Sequence, residues 1–232
     1  MAYTLWYWAE IQGRGEFVRL PMEAAGIAYV DAARERGSKA LIADMKARTH
    51  RPPFAPPYLD TGSDVISQVA NILFWLGERH GIAPSEPATR TWLHEVQLTL
   101  ADFVAEVHQV HHPVGVALYY EDQKAEAARM AEEFREQRMP KFLGWFERSV
   151  EGDWLAGDAW SYGDTSIFQI VEGLRHMFPR RMAAIEGDYP RLRAIRDRVA
   201  ELPGVAAYLA SDRRIPFNTQ GIFRHYPELD GD

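Results

Sequence analysis

Phe54-Ala-Pro-Pro-Tyr-Leu-Asp-Thr-Gly-Ser-Asp-Val-Ile-Ser-Gln68 is a strand entered through a proline pair, a turn at residues 61–64, a second short strand at Val65-Ile66, and a helix starting near Gln68. Proline has no amide hydrogen to give to a ladder and forces its predecessor into an extended conformation. At a strand entrance it turns peptide groups outward instead of pairing them. The stretch reads as a binding site made from backbone, and a cis Pro56-Pro57 bond would turn those groups toward a ligand.

Upstream, Tyr3-Thr-Leu-Trp-Tyr-Trp8 is apolar on both alternating faces, as expected of a strand covered on both sides. Gly13-Arg-Gly15 follows. Phe17, Val18, Leu20, Met22, Ala24 and Ala25 then give a helical pattern ending at Gly26, and Ile27–Val30 reads as a second strand. The order is β-α-β, a polar piece over residues 36–53 with no assigned structure, then β-β-α. Gly81 to Ala88 holds two prolines and no apolar period, so it reads as a linker. Beyond it no segment reads as a strand. Helical spacing runs over 90–112, 123–150, 162–178, 190–201 and 203–210, punctuated by Pro113, Gly152, Pro179, Pro190 and Pro203. The expected architecture is an α/β domain over 1–80, a linker over 81–88, and an all-helical bundle over 89–232.

Composition narrows the function. The chain has 232 residues, 47% hydrophobic and 25% charged, enough for a substantial core. A net charge of -7 with no basic run offers nothing to a phosphate backbone, so nucleic acid is not an expected partner. The chain has no cysteine, which removes disulfides, thiolate metal sites and cysteine nucleophiles. Any thiol chemistry must use a thiol supplied by a ligand. No stretch approaches a membrane span and the N-terminus has no basic leader, so the expected location is the cytoplasm.

Four stretches resemble the cytosolic glutathione S-transferase family: Tyr3 to Arg14, Pro57 to Ile72, Trp154 to Asp164, and the helix holding Asp102. The first is most similar to the tyrosine-type members of the mu, pi and sigma classes. The resemblance covers nearly the whole chain and implies a thioredoxin-like first domain with a mixed sheet. It also implies conjugation of the glutathione thiolate to electrophilic, hydrophobic small molecules. No metal or cofactor beyond the co-substrate glutathione is implied, and the partners are glutathione, an electrophile and a second copy of the chain.

By composition Tyr7 is a packed strand aromatic; the resemblance makes it the catalytic phenol that holds the thiol as thiolate. A free thiol has a pKa of about 8.5, and lowering it by about two units takes about 2.7 kcal/mol of preferential stabilisation. A charged hydrogen bond with nearby positive charge can supply that. Arg14 is a solvated cation or, by resemblance, a glutathione contact. Gln68 opens a helix whose free first-turn N–H groups make a carboxylate site. The family commonly has serine next; here Val69 leaves only a backbone N–H. Pro56 occupies the position that pairs with the cysteinyl part of glutathione, but it has no N–H, a loss of roughly 0.5–1.5 kcal/mol. Pro57 takes the place of the family's cis-proline. Weak glutathione binding or a shifted preference follows.

Asp102 resembles an acid that reaches the γ-glutamyl ammonium of the neighbouring subunit, and the alternative is an ordinary helix-surface aspartate. Phe54 is either the aromatic key of such a dimer or packed in its own chain. Trp8, His111, His112 and Tyr119 are expected at the co-substrate pocket. His108, His111 and His112 share a helical spacing, but no fourth ligand stands out, so no metal is expected. Ser161 and Asp164 are expected as N-cap and N3 of a capping box, a structural role. The alternatives are a non-catalytic ligand-binding protein with the same fold, or a glutathione-dependent isomerase or reductase.

Overall fold

The computed structural model describes residues 2–231. Strand β1 (Tyr3–Trp6) is followed by a tight turn of helix at Gly13–Gly15 and α1 (Glu16–Ala24), then β2 (Tyr29–Asp31). Two helices, α2 (Ala32–Arg36) and α3 (Ser38–Ala47), fill most of the piece to which the sequence assigned no structure. Hairpin β3 (Tyr58–Asp60) and β4 (Val65–Ser67) leads into α4 (Val69–His80). The sheet order is β2-β1-β3-β4, with β1 parallel to β2 and antiparallel to β3. Leu5, Leu59 and Ile66 face α1 and α4, whereas Trp6 and Tyr58 stack on the opposite face against Ala32, Ala33 and Leu41 of α2 and α3. This is the mixed, thioredoxin-like sheet expected from the β-α-β then β-β-α pattern.

The remaining helices among the described residues are α5 (Pro87–Val110), α6 (Lys124–Glu133), α7 (Met139–Ser149), α8 (Tyr162–Met177), α9 (Pro179–Ile185), α10 (Pro190–Glu201) and α11 (Pro203–Leu209). Helix α5 starts inside the expected linker because Pro87 is its first residue, where a missing N–H costs nothing. The carboxylate of Glu86 accepts from the amides of Ala88 and Thr89 at 2.9 and 2.6 Å and caps it. The apolar pattern over 123–150 is one path with a π-helical segment at Phe134–Arg138 between α6 and α7. Pro179 begins a helix as well as ending one, which pattern reading treated only as a stop.

Helix α8 is the spine of the bundle. It is buried along nearly its whole length and packs on α10, α1 and α5. Asp164, fully buried, accepts from the Leu155 amide at 2.7 Å, the Ser161 amide at 2.8 Å and the Ser161 hydroxyl at 2.7 Å. Ser161 in turn caps the first turn of α8, so the two residues form the expected capping box.

The segment after α11 runs back over the first domain. The Gln12 amide donates to Ile215 O at 2.5 Å and the Asn218 amide to Glu10 O at 2.8 Å, while Arg213 pairs with Glu23 and Arg214 with Glu16. Glu16 is completely buried and also takes Arg19 and the Tyr208 hydroxyl. A buried acid of this kind is held only because several donors satisfy it. The two halves are therefore joined by an ionic network as well as by apolar packing.

Candidate functional site

A cavity of about 530 Å³ lies between the start of α1, the diproline, the start of α4 and the middle of α5. Of the residues expected to hold glutathione, Arg14, Pro56, Gln68 and Val69 all line it, with Pro57 beside them. The Pro56-Pro57 bond is cis. Gln68 stands immediately before α4 with φ 70° and ψ 124°, a region that non-glycine residues occupy only when the surroundings enforce it. Such strain concentrates at ligand contacts. The first-turn amides of Val69 and Ala70 have no intrahelical acceptor and stand at the positive end of the helix dipole. The Arg14 guanidinium has no carboxylate partner among the described residues. The polar rim of the cavity is thus rich in donors and suits an anionic group.

Tyr7 lies one residue beyond β1, with its ring 4% exposed beneath the loop that opens α1. The fit is close: a Cβ on Gly13 would stand 2.1 Å from the Tyr7 oxygen, and one on Gly15 2.5 Å from the ring. The phenol oxygen accepts the Arg14 backbone N–H at 2.9 Å, and its own hydrogen has no acceptor among the described residues. Burial raises the phenol pKa, partly offset by the Arg14 hydrogen bond and the charges of Arg14 and Arg19. The group therefore stays protonated at neutral pH and keeps a hydrogen to donate. Tyr7 does not itself line the cavity; its hydroxyl meets the residue that does.

Asp102 is exposed on α5 and makes no hydrogen bond or ion pair among the described residues. Leu98 and Ala101, on the same side of that helix, line the cavity. Phe54 is 92% exposed at the cavity's edge, which settles one alternative: it does not pack within its own chain.

The expected co-substrate group needs correction, because the structure does not bring it to this cavity. Trp8 follows the alternation of Trp6 and packs in the cluster of Ala32, Ala33 and Leu41, on the other face of the sheet. Tyr119 is 78% exposed and precedes a short turn of helix. His111 is fully buried and His112 nearly so, because the C-terminal segment folds over the end of α5. Their Nδ1 atoms stand 2.5 Å apart, and His111 Nε2 donates to Ile222 O at 2.8 Å. Burial drives His111 down to about 3, with Arg224, His108 and His112 adding to the effect and the bond to Ile222 opposing it. His108 stacks on the His112 ring at 4.9 Å and is held at about 4 by burial, with His112 and Arg14 contributing. Among the described residues no group of three or more candidate ligands could hold a metal ion.

Sequence reasoning missed the α5 wall of the cavity: Gln97, Leu98, Leu100, Ala101 and Val104. The i, i+3, i+4, i+7 spacing of Gln97, Leu100, Ala101 and Val104 was the available signal, with one glutamine interrupting an apolar face.

Comparison with known proteins bears on this arrangement. Residues 108–212 match the family described as glutathione S-transferase, C-terminal domain. The chain is 24% identical to glutathione S-transferase 1 of Ascaris suum over 93% of its own length and 98% of that protein. It is 23% identical to human glutathione S-transferase Mu 3 over 94% and 92% of the two chains. The solved pi-class glutathione S-transferase of Onchocerca volvulus superposes with a TM-score of 0.74 at 19% identity, over 95% of this chain and 99% of that one. The class defined by fold and site is a two-domain protein with a thioredoxin-like sheet and a helical bundle. More particularly, the resemblance read from the sequence holds: residues 108–212 match the glutathione S-transferase C-terminal domain, and the chain is similar along its length to mu- and pi-class members and folds like them. No helix among the described residues is long and apolar enough to cross a membrane.

Proposed function

We propose that the chain is a glutathione S-transferase that joins the thiolate of glutathione to an electrophilic carbon of a hydrophobic small molecule, in the cytoplasm and as a homodimer. One observation carries this reading. Arg14, the diproline and the Gln68-Val69 helix start converge on one cavity, and a phenol with an unassigned proton bonds the backbone of that same Arg14.

In this reading the peptide lies along the diproline with its γ-glutamyl carboxylate at the α4 N-terminus, where free amides and the helix dipole meet it. Tyr7 donates its phenolic hydrogen to the sulfur. The hydrogen bond favours the anion and so lowers the thiol pKa. The thiolate attacks carbon, a thioether forms, the leaving group departs with its electron pair, and the thiol proton has gone to solvent. Raising the phenol pKa serves this step, since a phenolate could not donate.

Asp102 and Phe54 support the homodimer: an exposed, unpaired acid next to the lining residue Ala101, and an almost fully exposed phenylalanine on the cavity's edge. Sedimentation at micromolar concentration is expected to give twice the chain mass, with Phe54→Ala shifted toward monomer.

The catalytic test is conjugation of glutathione with an activated aryl halide, for the native protein and for Tyr7→Phe. Loss of a hydrogen bond that supplies about 2.7 kcal/mol lowers kcat/KM about a hundredfold. Equal turnover by the two proteins removes Tyr7 from catalysis. Absence of glutathione binding by calorimetry, with tight binding of hydrophobic dyes, establishes a non-catalytic ligand carrier instead.

A further inference from the structure

Gln97 is 1% exposed, sits at the midpoint of α5, and faces the cavity among Phe17, Leu100 and Val104. A glutamine on so apolar a wall demands partners, because a buried primary amide has two acceptor positions and two donor hydrogens to satisfy. The structure gives it one. The Ser166 hydroxyl of α8 donates to its Oε1 at 2.8 Å. Its Nε2 has no acceptor among the described residues, yet it is not among the sealed polar atoms left without one. The amide nitrogen therefore opens into the cavity. If the amide is turned over, the serine accepts instead and the oxygen faces the cavity, so one end of the amide is left for a ligand in either orientation.

We propose that Gln97 is a ligand-binding residue: its amide, fixed from behind by Ser166, donates to the carboxylate that sits at the start of α4, and takes over the contact that Val69 cannot make. This rests on the glutathione reading of the same cavity and adds a residue to it. Three observations meet here. Val69 and Gln97 line the same cavity; the other polar groups there, Arg14 and the α4 amides, also favour an anionic acceptor; and the lining contains no carboxylate that would repel one. A hydroxyl on residue 69 would stand on the first turn of α4 itself. An amide reaching from α5 is held by α8, so recognition of the carboxylate becomes linked to the packing of the helical domain.

The test is calorimetric titration of the intact protein with glutathione and with glutathione amidated at the γ-glutamyl carboxylate. The titration is done for the native chain, Gln97→Leu and Gln97→Glu. Gln97→Leu is expected to weaken glutathione about tenfold, and amidation is expected to weaken binding to the native chain more than to this variant. Gln97→Glu keeps an acceptor for Ser166 and brings a negative charge to the carboxylate, so it is expected to weaken glutathione further and to weaken the amidated peptide less. It also keeps the question decidable where the leucine variant fails to fold. Native binding that neither variant alters overturns the role of Gln97 and leaves the glutathione reading standing. An equal loss for both peptides also overturns it, because the amide then contacts something other than the carboxylate. A native chain that binds no glutathione overturns both readings.

Discussion

Acid should loosen the C-terminal segment through one histidine, and the size of the effect can be worked out. His111 is fully buried, and because Ile222 O can only accept, the His111 proton must be on Nε2. Its Nδ1 then holds a bare lone pair, so the 2.5 Å contact requires His112 Nδ1 to donate. Protonating His111 Nδ1 would set two N–H groups against each other, in a neighbourhood that also holds Arg224. The native pKa is accordingly down at about 3, whereas the unfolded chain has the ordinary value of about 6.5. Below about pH 6.5 the unfolded state takes up a proton that the native state refuses. Stability is therefore complete above that pH and is lost as pH falls toward about 3, by about 1.4 kcal/mol per unit. Between pH 8 and pH 5 this one group removes roughly 2 kcal/mol. The assay is urea unfolding followed by circular dichroism at both pH values, for the native chain and His111→Gln. Glutamine can still donate to Ile222 O but cannot titrate. The native chain should lose roughly 2 kcal/mol more than the variant across that interval, and identical losses would refute the tautomer assignment.

Three further outcomes follow from contacts already described. Ser161→Ala removes the cap of α8 and should cost about 1 kcal/mol, whereas Asp164→Ala strands the buried Leu155 and Ser161 amides and should cost about 3 kcal/mol or more; thermal melts that rank them the other way would discredit the box as the anchor of α8. Val69→Ser restores a hydroxyl at the carboxylate site and should tighten glutathione about tenfold, an expectation sunk by an unchanged calorimetric Kd. Gly13→Ala, at φ +45° with its Cβ 2.1 Å from the Tyr7 oxygen, should displace the phenol and reduce conjugation as far as Tyr7→Phe does; undiminished activity would show that the phenol is not held in place for catalysis.

What the sequence revealed depended on how local each signal was. The hairpin and the helix start after Pro57 are written in adjacent residues, and so is the Ser161–Asp164 box, because prolines, a Gly turn and an N-cap act within a few positions. Helices α2 and α3 escaped because each is short and only lightly apolar: α3 buries one residue, Leu41, and is held by packing from elsewhere. Pro87 read as part of a linker and Pro179 as a stop, although a proline suits the first turn of a helix as well as its end. The histidines were misplaced for a different reason. Their spacing correctly put the three rings together at the end of α5, with His108 in the helix, His111 at its C-cap and His112 just beyond, but the segment that buries His111 includes Ile222, far away in sequence. Periodicity says which face of a helix is apolar and is silent on which segment returns to cover it.

If the proposed glutathione reading holds, the binding chemistry of the cavity is a redistribution of hydrogen bonds. Pro56 removes one donor from the backbone edge and Val69 removes a hydroxyl from the helix start, together roughly 1–3 kcal/mol if nothing replaces them. The structure sets against this an Arg14 guanidinium with no carboxylate partner among the described residues, the free first turn of α4, and an amide on α5 with one end unspent. A hydrogen bond to a charged acceptor is worth about 1.5–3 kcal/mol, so Gln97 alone is of the right size to offset what Val69 and Pro56 forgo. The donors that remain come from side chains and a helix end, whereas those that were lost lay along the diproline edge. On the proposed reading, affinity moves from the middle of an extended peptide to its charged terminus. A ligand with the same carboxylate and a different central residue should lose less here than backbone pairing at position 56 would have imposed.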